Sequence, residues 1–134
     1  MSDHLDGPRA CGKFELAPTL DLLDRVFTPD RAEMGHFGPH LFCEENRENM
    51  RVLRVGRRIV AHAGLFVTEM VTPRGEFRLG GVYGVACDPD FRRHGYGEAC
   101  VRDVMLRMEE LGCDVGWLGT GIWDWYRAFG RDPG

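Results

Sequence analysis

The sequence predicts an α/β (α+β) fold, a mixed and mostly antiparallel central sheet flanked by helices. Three observations predict it. Between Met50 and Cys87 three apolar, β-branched runs are separated by turn residues, the pattern of an antiparallel meander. From Gly97 onward the apolar period lengthens to three and four residues, the pattern of an amphipathic helix. After that helix a short apolar run, Val115 to Leu118, restores a strand, so the order strand, helix, strand places a helix on a sheet face. The 134 residues suit one compact unit, so residues 1–134 are expected to form a single domain.

The elements follow in order. The first ten or so residues are polar and read as loose, with Phe14 to Leu16 as a short first strand. Leu20, Leu22, Leu23, Val26 and Phe27 cluster at helical spacing, and Thr28-Pro29-Asp30 ends that helix. Asp30 to Asn49, with Gly35, Gly38 and Pro39, reads as a loop with a short helix. Val52, Leu53 and Val55 form a strand that runs into a turn at Gly56-Arg57-Arg58. Ile59 to Met70 is the next strand, Thr72-Pro73-Arg74-Gly75 the next turn, and Phe77 to Cys87 the third strand. In the long helix Val101, Val104, Met105, Met108 and Leu111 form the apolar stripe, opposed by Arg102, Asp103, Arg107, Glu109 and Glu110. Gly112 closes it, and Ile122 to Phe129 is a second, shorter helix ended by Gly130.

Composition narrows the function. A net charge of −4 argues against a dedicated nucleic-acid binder, which carries a basic surplus. The five cysteines are odd in number and include no C-x-x-C pair, which fits free thiols in a reducing cytoplasm. No apolar run reaches the roughly 18 residues of a membrane span, and the first residues are too polar for a signal peptide. His36, His40 and Cys43 invite a metal reading, but Gly38-Pro39 breaks the helix that such spacing would need and no fourth ligand is evident, so no metal is expected.

The chemistry concentrates where a strand, Val85-Ala86-Cys87, passes through Asp88-Pro89-Asp90-Phe91-Arg92-Arg93-His94-Gly95-Tyr96-Gly97-Glu98 into the long helix. The first amides of a helix lack internal partners and carry partial positive charge, which suits an anion. Gly95 and Gly97 allow close approach to the backbone, Arg92 and Arg93 add positive charge, and His94 adds an imidazole beside them. Together they read as a diphosphate cradle. The plainer alternative is a helix start with incidental glycines and arginines. A Walker loop is excluded, because no Gly-Lys-Ser/Thr follows, and a Rossmann G-x-G-x-x-G is absent.

The run from Cys87 to Gly97 resembles motif A of the GNAT acetyltransferases, V-x-P-x-[YF]-R-x-x-G-x-[GA], with Cys87 in the place of the leading valine. Trp125-Tyr126-Arg127-Ala128-Phe129-Gly130 resembles their motif B, [FL]-Y-x-x-x-G. The resemblance covers Met50 to Gly130. Within the superfamily, the stretches from Val60 to Gly64 and from Gly84 to Cys87 look most similar to aminoglycoside 2′-N-acetyltransferases, with Eis-like acetyltransferases next.

The resemblance implies an acetyl-CoA-dependent N-acetyltransferase acting on a primary amine of a small molecule. It implies that the backbone of Val85, Ala86 and Cys87 binds the pantetheine arm, that Arg92 and the loop from Arg93 to Glu98 hold the diphosphate, and that Tyr126 protonates the leaving thiolate. Relatives carry a carboxylate base close to the positions of Tyr83 and Gly84. Neither residue is acidic, and His36, Glu44, Glu45, His62 and Glu69 are the substitutes to consider. GNAT domains also carry two strands after motif B, whereas this sequence stops at Arg131-Asp132-Pro133-Gly134. The expectation is a truncated product, a fragment of a longer chain or a domain completed by a partner, with an open sheet edge available for a homodimer. Two alternatives follow: a CoA-binding module with weak or no turnover, and an N-acyltransferase for a longer acyl chain.

Overall fold

The structure is a computed structural model, and its described residues are 4–27 and 41–118. A five-stranded sheet has the order β1-β2-β3-β4-β5, formed by Leu5–Ala10, Met50–Val55, Arg58–Thr72, Gly75–Cys87 and Val115–Leu118. Every pairing is antiparallel except β4 with β5, which is parallel and is bridged by the helix between them. That crossover is what a parallel pair requires. Helix α1, Leu16–Phe27, packs on one face and helix α2, Tyr96–Glu110, on the other. The mixed α/β fold class expected from the sequence is the one observed.

The N-terminal expectation is corrected. Leu5–Ala10 is a strand, not a loose arm, whereas Phe14 is exposed in a turn and Leu16 opens α1. Gly7-Pro8 disguises the strand in the sequence. Proline is tolerated because β1 is an edge strand, and a register shift between Asp6 and Arg9 absorbs the pair. Arg9 ties this edge down by donating to Asp6 and Glu15. Of the uncertain segment from Asp30 to Asn49, the described part contains a short 3-10 helix, Glu44–Asn49.

Two apolar layers hold the sheet. On the α2 side Cys100, Val101, Val104, Met105 and Met108 meet Leu53, Val60, Ala63, Leu65 and Val82. On the α1 side Leu22 and Leu23 meet Phe42, Met50, Val52, Ile59 and Ala86. α2 ends where glycine is needed: Gly112 has φ of 69°. Its N–H donates to the Glu109 carbonyl at 3.1 Å and the Cys113 N–H to Met108 at 3.0 Å, a Schellman closure.

β3 and β4 outrun their neighbours. Pairing of β2 with β3 begins at Met50 and Gly64, but β3 and β4 stay in register out to Thr72 and Gly75. β5 covers β4 only from Leu79 to Val82. Among the described residues the hairpin therefore extends past β2 and β5 as a two-stranded arm.

Candidate functional site

The end of β4 is shaped by a bulge. His62 pairs with Ala86 and Gly64 with Tyr83, so Gly84 and Val85 together face Ala63. Gly84 takes a left-handed φ of 60°, and a Cβ there would lie 3.2 Å from His62 Cε1. The bulge removes the Gly84 carbonyl from the regular ladder, and His62 Nδ1 caps it at 2.7 Å. A carbonyl only accepts, so Nδ1 carries the proton. Nε2 is left buried and without a partner among the described residues.

His62 is fully buried, and burial pushes its pKa down to about 4 against the opposing pull of the Gly84 carbonyl. The unfolded chain binds a proton here that the folded chain refuses. The neutral ring's contribution is complete above the ordinary histidine pKa of 6.5 and is lost as pH falls toward 4. Stability should therefore drop by about 3 kcal/mol across that window. His62→Gln should flatten the drop, as read from urea midpoints at stepped pH. An unchanged pH profile in that variant would refute the assignment.

Beyond the bulge, Val85 packs toward the α2 layer and Ala86 toward the α1 layer. Cys87 is half-buried, and its thiol points at the Phe91 carbonyl at 3.5 Å. Burial raises its pKa, outweighing the pull of Arg92 and the Gly97 amide, so it is a neutral packing thiol rather than a nucleophile.

Asp88 then fixes the loop. Its side chain is 2% exposed, and its Oδ2 receives Arg25 Nη2 from α1 at 3.0 Å and Arg58 Nη2 from the start of β3 at 2.9 Å. Its Oδ1 accepts the Asp90 N–H at 3.0 Å, and its own N–H donates to Val60. Burial alone would raise this carboxyl's pKa, but the Asp90 amide and both guanidiniums outweigh it and the net shift is downward. Arg58 also lies over the Phe91 ring. Three separate elements thus converge on the residue that precedes Pro89.

From Arg92 to Gly95 every residue is exposed. Arg93 has φ of 70° and Gly95 of 75°, left-handed turns one residue apart immediately before α2. A left-handed residue followed directly by the right-handed start of a helix, as at Gly95 and Tyr96, is a backbone pattern that aims successive amides into an anion-binding nest. The first intrahelical bond is from Ala99 N–H to the Gly95 carbonyl at 2.9 Å. The amides of Tyr96, Gly97 and Glu98 therefore have no carbonyl one turn earlier within the helix. A Cβ at Gly95 would meet no described protein atom within 4 Å, so the turn is open at that position, whereas the Gly97 amide is directed at the Cys87 thiol. The His94 ring stacks on Tyr96 at 5.1 Å, walling one side.

The structure thus gathers Val85, Ala86, Cys87, Arg92, Arg93, His94, Gly95, Tyr96, Gly97 and Glu98 around one strand-to-helix junction. Tyr126, Trp123, Trp125, His36 and His40 lie outside the described residues, as does the expected helix from Ile122 to Phe129. Among the candidate bases, Glu69 is exposed and paired with Arg78, and Glu44 with Arg47. Tyr83 is no acid either. Its hydroxyl donates to the Leu41 carbonyl and accepts from Asn46 Nδ2, and burial pushes its pKa up. Sequence reasoning missed the Asp88 junction and the His62 clamp. Asp-Pro signalled the turn, but no local pattern ties Arg25 or Arg58 to it.

The profile of the acetyltransferase (GNAT) domain matches residues 8–133. The fold is similar to that of a GCN5-related N-acetyltransferase from Kribbella flavida, with a TM-score of 0.74 and 19% identity over 96% of this chain and 33% of that one. This chain thus spans about a third of that protein. A GCN5-related N-acetyltransferase from Ralstonia eutropha gives 0.68 and 20% over 90% of this chain and 88% of that one. Glucosamine-6-phosphate N-acetyltransferase from Arabidopsis thaliana gives 0.63 and 16% over 98% and 92%. No curated protein matches the chain in sequence. No helix among the described residues is long and apolar enough to cross a membrane.

Proposed function

The chain belongs to the acetyltransferase (GNAT) domain family, a family of acyltransferases, and from that premise we propose that it transfers an acetyl group from acetyl-CoA to a primary amine of a small molecule. The observation that carries this reading is the open nest formed by Gly95 and Tyr96 at the start of α2. It offers main-chain donors and a helix dipole to an anion such as a diphosphate. Arg92 and the amides from Arg93 to Glu98 are assigned to that diphosphate. The backbone of Val85, Ala86 and Cys87, whose last two residues pair with β3 on one edge and which lies past the last described β4–β5 pair at Val82 on the other, is assigned to the pantetheine arm.

Acetyl-CoA supplies the activated acyl group as a thioester. The protein's contribution is to hold the two reactants in line and to polarise the carbonyl with main-chain N–H groups. Tyr126 is assigned to donate a proton to the departing sulfur, since a phenol of ordinary pKa near 10 is protonated at neutral pH. Glu44 and Glu69 are engaged by arginines, and His62, fully buried with its pKa lowered to about 4, is a weak proton acceptor. In this reading the acceptor amine loses its proton to water. An aminoglycoside-like amine is the acceptor class that the sequence favours, the site is cytoplasmic, and two copies associate through an open strand edge.

Release of CoA thiol from acetyl-CoA with a panel of amines, including aminoglycosides, tests the reading. Stabilisation by CoA without thiol release would select a binding module instead. Faster release from longer acyl-CoA thioesters would select acyl transfer of that length. Tyr126→Phe should lower kcat by about a hundredfold with little change in the KM for acetyl-CoA. An equal loss of CoA affinity would mean that the ring only packs.

A further inference from the structure

The outer edge of the β3 arm has the properties of a pairing surface. Leu65-Phe66-Val67-Thr68-Glu69-Met70-Val71-Thr72 is rich in β-formers and contains no proline and no left-handed residue. Its register with β4 is uninterrupted from Gly64–Tyr83 to Thr72–Gly75, so no bulge twists it away. Among the described residues only β4 pairs with it. Glu69 is its single charge, and its carboxylate is engaged with Arg78 of the same arm at 2.8 Å. Natural edges are protected by proline, bulges, lysines or a covering element, and apart from Glu69 this one has none of these devices among the described residues. A two-stranded ribbon is also marginal in water by itself.

The apolar exposure lies on the same arm. Val71 is 79% exposed and Met70 46%. Met70 pairs with Phe77, and two residues along Leu79 pairs with Val115, so these four side chains share one face of the sheet. Phe77 and Val115 are themselves exposed.

We infer that two copies of the chain pair through this edge, β3 against β3, antiparallel about a two-fold axis at Met70. The sequence fits itself in that register. Met70 meets Met70 of the second copy, Thr68 meets Thr72, and Glu69 meets Val71. A register centred on Glu69 would set two carboxylates opposite each other, which cross-strand electrostatics disfavours. The dyad stands perpendicular to the sheet, so the Met70 and Phe77 faces of both copies join into one strip. The result is a four-stranded arm, β4-β3-β3-β4. It specifies which open edge associates, and it does not depend on the acetyl-transfer reading.

Sedimentation equilibrium of the full chain, at concentrations through the micromolar range, tests the pairing. The unaltered chain should be dimeric. Val71→Glu places a carboxylate opposite the second copy's Glu69 and should weaken the dimer about tenfold, whereas Val71→Lys places an ammonium there and should keep or tighten it. Both remove the same exposed valine, so the contrast reports register rather than lost apolar area. Met70→Lys, which sets like charges at the dyad, should also dissociate the dimer. Circular dichroism melts establish that each variant is folded. A monomeric wild-type chain, or a dimer with equal affinity in the Val71→Glu and Val71→Lys forms, would overturn the inference.

Discussion

Gly95→Val is expected to abolish binding of CoA, with an affinity loss above about a hundredfold, while leaving the protein folded. Gly95 is the N-cap of α2, with φ of 75° and ψ of 17°. An L-residue held there costs roughly 1–2 kcal/mol, and a β-branched one more. A Cβ there meets no described protein atom within 4 Å, so the expected cost to the fold is this backbone strain. In the proposed reading that space is the ligand's side of the turn. A valine there fills the approach to the amides and drives the turn toward a right-handed conformation that scatters them. Gly95→Ala should be intermediate. Calorimetric titration with CoA, beside a melting curve, separates the two effects. Unchanged affinity in a folded valine variant would remove the nest from the proposal.

Asp88→Ala should cost about 2–4 kcal/mol, a large share of the roughly 5–15 kcal/mol of a typical domain. The loss has two parts. Removing the acceptor of the Asp90 amide deletes a cap worth about 1 kcal/mol. Removing the buried carboxylate breaks two ion pairs, the costly direction for a buried charge. Arg25 and Arg58 are about half exposed, which moderates that penalty because water solvates them once they are released. Asp88→Asn keeps an oxygen for the cap and should lose less. The folded-state pKa of Asp88 is depressed, so its contribution is present above the ordinary carboxylate value of 3.8 and vanishes as pH falls through the folded value. The wild-type and Asp88→Asn unfolding curves should therefore converge in acid. Equal urea midpoints at neutral pH would show that the convergence of α1, β3 and the loop on Asp88 carries no net stability.

The central sheet was legible because its strands announce themselves locally. The β-branched run from Ile59 to Met70 and the three-and-four spacing from Val101 to Leu111 need no tertiary information. The cradle was legible for the same reason, as glycines and arginines concentrated at one helix start. β1 was not, since Leu5-Asp6-Gly7-Pro8-Arg9-Ala10 has neither alternation nor β-branched residues and becomes a strand only because β2 offers it an edge. Nor was the Asp88 junction, whose partners lie 63 and 30 residues away in the chain. His62 read as one candidate base among several. Only its burial against Gly84 shows that its polar work is structural. The acceptor side was the least legible, because a pocket for a variable amine has no fixed residue pattern to find.

The extra residue at Gly84 gives β4 an unequal tolerance to changes in length. Gly84 is the extra residue that offsets the alternation of β4 by one, and deleting it would restore a regular ladder while removing the carbonyl that His62 caps. Val85 and Ala86 would keep their layers, but β4 would reach α2 as a straightened strand without the bulge's added twist. Near the hairpin tip, between Thr72 and Gly75, residues can be added or removed in opposed pairs without changing that parity. Natural or engineered length variation in this hairpin should therefore collect at its outer end, and the segment from Gly84 to Asp88 should keep a constant count.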